Sequence, residues 1–179
     1  MSNKNENAVV TPEFTVCFPA VFRPKEFNGK EKYQITMVFD KSSDLKNLKK
    51  LVKKVAEDSF GGMEGVVSPF KDGNDKDIEA YPVFKDKIYI QASTQFSVGL
   101  VDQKRQPILN EEDFYAGCTA RAQVSAFSWT YLKKKGISLN LLNVQKMSDG
   151  EKLGGSKPIT SIFDEVEVEE SKDDFDFDL

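Results

Sequence analysis

Phe127, Trp129 and Tyr131 stand at i, i+2 and i+4 in the run Cys118–Tyr131. On an extended strand such residues share one face, with neighbouring rings roughly 7 Å apart. The opposite face of the same run holds Cys118, Ala120, Ala122, Val124 and Ala126, small apolar residues suited to packing on a core. The aromatic face also carries Thr119, Arg121, Gln123 and Ser125, types that belong in water. Solvent-facing rings beside Arg121 and the triplet Lys133, Lys134 and Lys135 make a stacking platform with cationic flanks. That combination binds single-stranded nucleic acid whatever its sequence, because every base offers a π-face, at about 1–3 kcal/mol per stacked base. Lysines add affinity by releasing counterions from phosphates. The competing reading is core packing: the faces exchange if a bulge follows Ala126, or a helix or long loop covers the rings. Two further basic groups sit in turns, Arg23, Lys25 and Lys30 with Phe27, and Lys104 with Arg105.

The charge distribution points the same way. The chain holds 25 basic and 29 acidic residues, a net charge of −4. Residues 164–179 account for nine carboxylates and one lysine, which leaves residues 1–163 with 24 basic and 20 acidic groups, about +4. A basic body with an acidic end is an asymmetry associated with nucleic-acid partners. A like-charge run with little apolar area to bury is expected to be disordered. As a flexible polyanion, the segment would compete with DNA for the cationic body. Its closing residues, Asp173, Asp174, Phe175, Asp176, Phe177, Asp178 and Leu179, offer a partner protein two aromatic anchors set in negative charge. Solubility alone is the alternative role for such a tail, but it gives no reason to place Phe175 and Phe177 there.

Composition removes most enzymatic chemistry. There is no histidine, hence no Ser-His or Cys-His pair and no histidine zinc ligand. Cys17 and Cys118 cannot make an all-cysteine zinc site, and no phosphate-binding glycine loop occurs. Both cysteines lie in strand-like patterns and read as reduced buried thiols, with a disulfide as the alternative. A carboxylate-only metal site, as in some nucleases, is the remaining enzymatic option, although the acidic residues of the body are scattered. No catalytic residue, cofactor or metal is expected. No apolar run approaches the roughly 20 residues of a membrane span, and residues 1–7 show no signal-peptide pattern.

The elements that would carry the platform follow from periodicity. Phe14, Val16, Phe18, Ala20 and Phe22 alternate as a strand, with Pro19 marking an edge or bulge. A polar turn over Arg23–Gly29 leads to a second strand with Tyr33, Ile35, Met37 and Phe39 on one face. Ser42 or Ser43 caps a helix whose stripe is Leu45, Leu48, Leu51, Val52 and Val55, ending at Gly61-Gly62. Lys46, Lys49, Lys50, Lys53 and Lys54 lie opposite, read as a solvated face with phosphate contact as the alternative. Residues 61–87 form a long connection, expected to be functional or mobile. Strands resume at Ile88–Ala92 and Phe96–Val101, then at 118–131; Lys133–Gly136 turns the chain into Ile137–Gln145. Five to seven strands with one helix after the second predict a mainly β protein, an elaborated OB-type barrel with long loops. The expected organisation is a flexible N-terminus over 1–11, a barrel domain over 12–163 and a disordered acidic tail over 164–179.

Several segments resemble a family of phage-encoded single-stranded DNA-binding proteins. They are Tyr115–Arg121, Gly136–Lys146 and Asp149–Gly155, together with Pro69–Gly73, Phe18–Phe22 and Lys32–Phe39. The likeness covers most of residues 12–155, and 136–155 is its most specific part. It implies an OB-fold that coats single-stranded DNA in phage replication and recombination, hence the cytoplasm of an infected bacterium. The acidic end is similar in kind to tails that recruit replication enzymes. It lacks the Pro-Phe ending of the bacterial form and finishes Phe177-Asp178-Leu179. The resemblance supplies no fixed contact positions, so the candidate residues rest on the strand argument. The rivals are a strand-annealing recombinase and a phage interaction or assembly protein without a nucleic-acid role. A homo-oligomer is compatible with either DNA-binding reading.

Overall fold

The computed structural model describes residues 8–153 and Val166, the Phe27 side chain excepted. The strands are β1 (Ala8–Val10), β2 (Phe14–Phe27), β3 (Lys30–Asp40), β4 (Val66–Val67), β5 (Lys71–Asp72), β6 (Lys87–Thr94), β7 (Gly99–Val101), β8 (Thr119–Tyr131) and β9 (Lys134–Ser148). One helix, α1 (Lys46–Phe60), separates β3 from β4. Strand β2 pairs with β3, β3 with β6, β6 with β9, β9 with β8, and β8 returns to β2. Those five strands close a barrel in which every pair is antiparallel except β6–β9. Numbered along the chain, the barrel strands run 1-2-3-5-4, the OB connectivity expected from the sequence.

Alternation explains the barrel interior. Phe14, Val16, Ile35, Met37, Phe39, Ile90, Ala92, Ala120, Ala122, Val124, Leu139, Leu141 and Val144 turn inward and are buried together. Each large side chain removed from water there contributes about 1.5–3 kcal/mol. Leu48, Val52 and Ala56 of α1 join the same core, so the helix stops one end of the barrel. Its lysines stay exposed on the opposite side, apart from any role in the core. The helix start differs from the expectation: neither serine caps it, and the Asp44 carboxylate accepts from the Lys46 amide at 3.1 Å instead.

Strand β2 departs from simple alternation. Cys17 pairs with Thr36 but Ala20 pairs with Gln34, so an extra residue bulges at Phe18-Pro19. Phe18 takes φ +45° and faces outward, and Val21 rather than Phe18 or Ala20 fills the interior. The expected polar turn over 23–29 is also shorter. Strand β2 continues to Phe27, and Asn28-Gly29 makes the reversal with φ of +51° and +80°, the left-handed pair a tight hairpin requires. Residues 8–10 pair with β8, so the body begins before residue 12.

The long connection is packed onto the barrel wall rather than loose. Phe84 is fully buried against Cys17, Val38 and Tyr89 on the outside of β2, β3 and β6. Phe18 stacks on Phe84 with centroids 6.3 Å apart, and Tyr81 meets both edge-on. Lys76 Nζ sits 5.0 Å from the Tyr89 ring centroid. Asn74 and Asp86 close the base of this clasp, the Asp86 amide donating to Asn74 Oδ1 at 3.0 Å.

The segments most distinctive in the sequence form a structural knot. Lys146 Nζ donates to Asp149 Oδ1 and to the Asp113 carbonyl, each at 2.6 Å, and lies 5.3 Å over the Tyr115 ring. The Tyr115 hydroxyl donates to Asp149 Oδ1 at 3.1 Å and accepts from the Gly150 amide at 3.1 Å. Burial works against the Lys146 ammonium, but the Asp149 hydrogen bond and charge outweigh it and raise its pKa. Hydrogen bonds from Lys146 and Tyr115 hold the Asp149 carboxyl below its ordinary value.

Candidate nucleic-acid interface

Past Ala126, β8 and β9 run on as a long hairpin arm, with Phe127 opposite Ser138, Trp129 opposite Gly136 and Tyr131 opposite Lys134. Paired residues share a face, so the three rings stand in one row as the spacing predicts. Phe127 is 38% and Tyr131 70% exposed. Trp129 is half-buried because its indole lies over Gly136, where a Cβ would come within 2.6 Å of Cε2. Neither a bulge nor the clasp removes the rings from solvent. The register shifts of β8 against β9 fall before Val124.

The other side of the arm rests on α1. Ser59 Oγ donates to Ser128 Oγ at 3.0 Å, and Lys135 Nζ lies 5.3 Å from the Phe60 ring centroid. This corrects the grouping of the lysine triplet. The reversal is Leu132-Lys133 rather than Lys133–Gly136, so Lys134 and Lys135 belong to β9 and point to opposite faces. Lys134 joins the rings, Lys133 occupies the tip, and Lys135 packs against the helix.

Between the arm and the β2–β3 hairpin lies a polar floor that sequence reading missed. Gln34, Ser93, Asn140 and Ser125 are successive register partners across β3, β6, β9 and β8, all half-buried on the outer wall. Asn140 Nδ2 donates to Ser125 Oγ at 3.4 Å. Lys30 and Lys32 continue the outer face of β3 into the hairpin, where Lys25 pairs opposite Lys32. Directly opposed ammonium groups repel one another, and an anion between them relieves that. The visible signal was polar alternation through Lys30, Lys32, Gln34 and Thr36, which an apolar-periodicity reading passes over. In barrels of this connectivity, oligonucleotides bind the outer face of strands two and three, flanked by the 1–2 and 4–5 hairpins. Here those hairpins carry Lys25, Lys30 and Lys32 on one side, and Trp129, Tyr131 and Lys134 on the other.

The remaining candidates lie away from the rings or outside the described residues. Arg23 is paired with Glu111, Nε to Oε1 at 3.0 Å, and is thereby occupied. Lys104 and Arg105 lie in the turn after β7, and Arg121 lies at the far end of β8, away from the rings. The Phe27 side chain and the tail residues Asp173, Asp174, Phe175, Asp176, Phe177, Asp178 and Leu179 lie outside the described residues. Phe96, 76% exposed, is an additional aromatic in the loop between β6 and β7, three residues after Ser93.

Both cysteines are buried and unpaired, Cys17 under the clasp and Cys118 in the barrel core. Burial pushes the Cys17 thiol up to about 11 and raises Cys118 as well. Among the described residues no cluster of three or more histidine, cysteine or acidic side chains could hold a metal ion, and no helix is long and apolar enough to cross a membrane.

The sequence matches the family of the Enterobacter phage Enc34 ssDNA-binding protein over residues 7–175. The chain belongs to that family. The family is one of binding proteins rather than enzymes. No curated protein sequence matches the chain. Among solved structures, the single-stranded DNA-binding protein of bacteriophage Enc34 in complex with ssDNA is similar at 21% identity, with a TM-score of 0.72 over 83% of this chain and 90% of that one. A second structure of the same phage protein gives 21% identity, a TM-score of 0.71, and coverage of 87% and 89%. Bacteriophage T7 gp2.5, a single-stranded DNA-binding protein, shares 13% identity with a TM-score of 0.63 over 91% of this chain and 95% of that one. At these identities the likenesses are of fold.

Proposed function

We propose that this protein binds single-stranded DNA on the outer barrel face, between the aromatic arm and the lysine-bearing hairpin, and coats it during phage replication and recombination in the host cytoplasm. The observation that carries this reading is the row of Phe127, Trp129 and Tyr131, kept in solvent on an arm braced from behind by α1. Rings on a rigid support accept bases without first having to be ordered, and Lys133 and Lys134 attract the backbone. The fold relative solved with ssDNA supports the same ligand class. Binding of this kind is sequence-tolerant and leaves the strand chemically unchanged.

The acidic segment 164–179 competes with DNA for the cationic face of the body and recruits replication or recombination proteins through Phe175 and Phe177. The opposite charges of body and tail support this assignment.

The test is fluorescence anisotropy with labelled oligothymidylate across a salt series, on the intact chain and on residues 1–163. Tight, salt-sensitive binding that is stronger in the truncation at low salt is the expected result. Binding by neither form removes the DNA reading. Equal affinity of the two forms at low salt removes the competing tail alone.

A further inference from the structure

A second cationic feature lies on the outer face of β8 and β9, eight residues before Trp129. Arg105 and Arg121 line one groove together with Gln123, Asn143 and Val101. Eight residues of strand span roughly 27 Å at about 3.3–3.4 Å each. The groove is therefore well separated from the aromatic arm yet continuous with it along the same paired face.

The Arg121 guanidinium and the backbone that carries Arg105 are each set in place by their neighbours. Arg121 Nε donates to Gln145 Oε1 at 2.8 Å, and Gln145 Nε2 donates in turn to the Asp102 carbonyl at 3.2 Å. That engagement orients the Arg121 plane while its two terminal nitrogens remain available for another acceptor. Arg105 sits in a turn organised by Asp102, whose Oδ1 accepts from the amides of Lys104 at 2.8 Å and Gln106 at 2.9 Å. The turn holds Arg105 at φ +63°, a left-handed conformation that a residue with a Cβ adopts at a cost. Among the described residues no carboxylate pairs with either arginine, in contrast to Arg23 and Glu111. Two like charges brought to one groove repel until an anion joins them. The guanidinium fork matches phosphate oxygens in pairs, which a lysine point charge does not.

We propose that Arg105 and Arg121 form a second subsite, a clamp for a backbone phosphate of the same single strand whose bases stack on the arm. The clamp lengthens the footprint beyond the aromatic row. At a stacked spacing of about 3.4 Å per nucleotide, the strand reaches from Trp129 to the clamp in roughly eight nucleotides. This site rests on the reading of the arm as a DNA-binding surface.

The experiment compares the full chain with its Arg105→Ala/Arg121→Ala variant, using tetrathymidylate and dodecathymidylate as probes and the fluorescence of the single tryptophan, Trp129, as the readout. Both arginines are exposed, and thermal unfolding of the two proteins checks that the fold is unchanged. The expected result is a loss of about tenfold or more on the dodecamer, the equivalent of ~1.4 kcal/mol, with a much smaller change on the tetramer. The slope of log affinity against log salt for the dodecamer should fall by about 0.7, the contribution of the one phosphate that the pair no longer neutralises. An Arg105→Lys/Arg121→Lys variant should restore the slope more fully than the affinity. Equal binding of variant and wild type to the dodecamer overturns the clamp, as does an equal loss on both lengths. If the wild-type chain binds neither probe, the reading of the arm falls, and the clamp with it.

Discussion

The indole of Trp129 lies directly over the backbone of Gly136, its register partner across the arm. A glycine leaves a strand without side-chain cover, and an aromatic ring on the neighbouring strand supplies it. The contact fixes the ring without burying its outer surface, which suits a stacking platform.

Two substitutions separate ring from support. Trp129→Ala should weaken single-stranded DNA binding by about 1–3 kcal/mol, the range for one stacked base. Gly136→Ala should weaken it as well, because the new Cβ meets the indole and displaces it. Its emission maximum should move even without DNA. A shifted emission maximum with unchanged affinity in Gly136→Ala would mean that the ring's position does not matter for binding.

Lys134 and Lys135, adjacent in sequence, should behave differently. Lys134 shares the face of the rings, so Lys134→Ala should lower the salt dependence of binding by about 0.7 in slope. Lys135 lies over Phe60, so Lys135→Ala should leave that slope near the wild-type value and remove a cation–π contact worth about 0.5–1 kcal/mol at an exposed site. Salt-dependent affinity measured beside thermal stability reads both effects. Identical slopes in the two variants would contradict the opposite facing of the side chains.

The thiols provide a probe of the core. With its pKa pushed up to about 11, Cys17 is almost wholly protonated at pH 8, and the thiolate is the reactive form. A colorimetric disulfide reagent should therefore react slowly with both cysteines in the native protein and rapidly with both after denaturation. Prompt native reaction of Cys17 would show that the clasp over it opens readily.

Local periodicity made the strands and the exposed face of β8 legible, because alternating side chains report directly on which side meets water. Phe14, Val16, Ile35, Met37 and Phe39 could be placed in the core on that basis alone. Three kinds of feature were not legible. The bulge at Phe18-Pro19 shifts alternation by one residue, and a proline marks such a place without giving its direction. The arm turns at Leu132-Lys133, with Leu132 at φ +56°, where Lys-Lys-Lys-Gly looked the better reversal. That two-residue difference sent Lys135 to the helix side. The floor of Gln34, Ser93, Asn140 and Ser125 depends on which strands neighbour which, and the parallel β6–β9 pairing leaves no local trace. The most specific sequence segment, residues 136–155, proved to hold the fold together through Lys146 and Asp149, which meet Tyr115, while its partner strand presents the rings.

The Lys146–Asp149 pair gives stability a defined pH dependence. Asp149 has a lowered pKa in the folded state, so its contribution is present above the unfolded aspartate value and is lost as pH falls through the folded one. Lys146 has a raised pKa, so its contribution is present below the unfolded lysine value and is lost as pH rises through the folded one. Between those limits the pair is ionised and the knot is intact. Asp149→Asn should therefore lower the denaturation midpoint at neutral pH, and the gap to wild type should close as both proteins are taken to acid. A chemical-denaturation series from pH 7 down to the acid limit measures this directly. A gap that persists unchanged in acid would show that the Asp149 charge does not stabilise the knot.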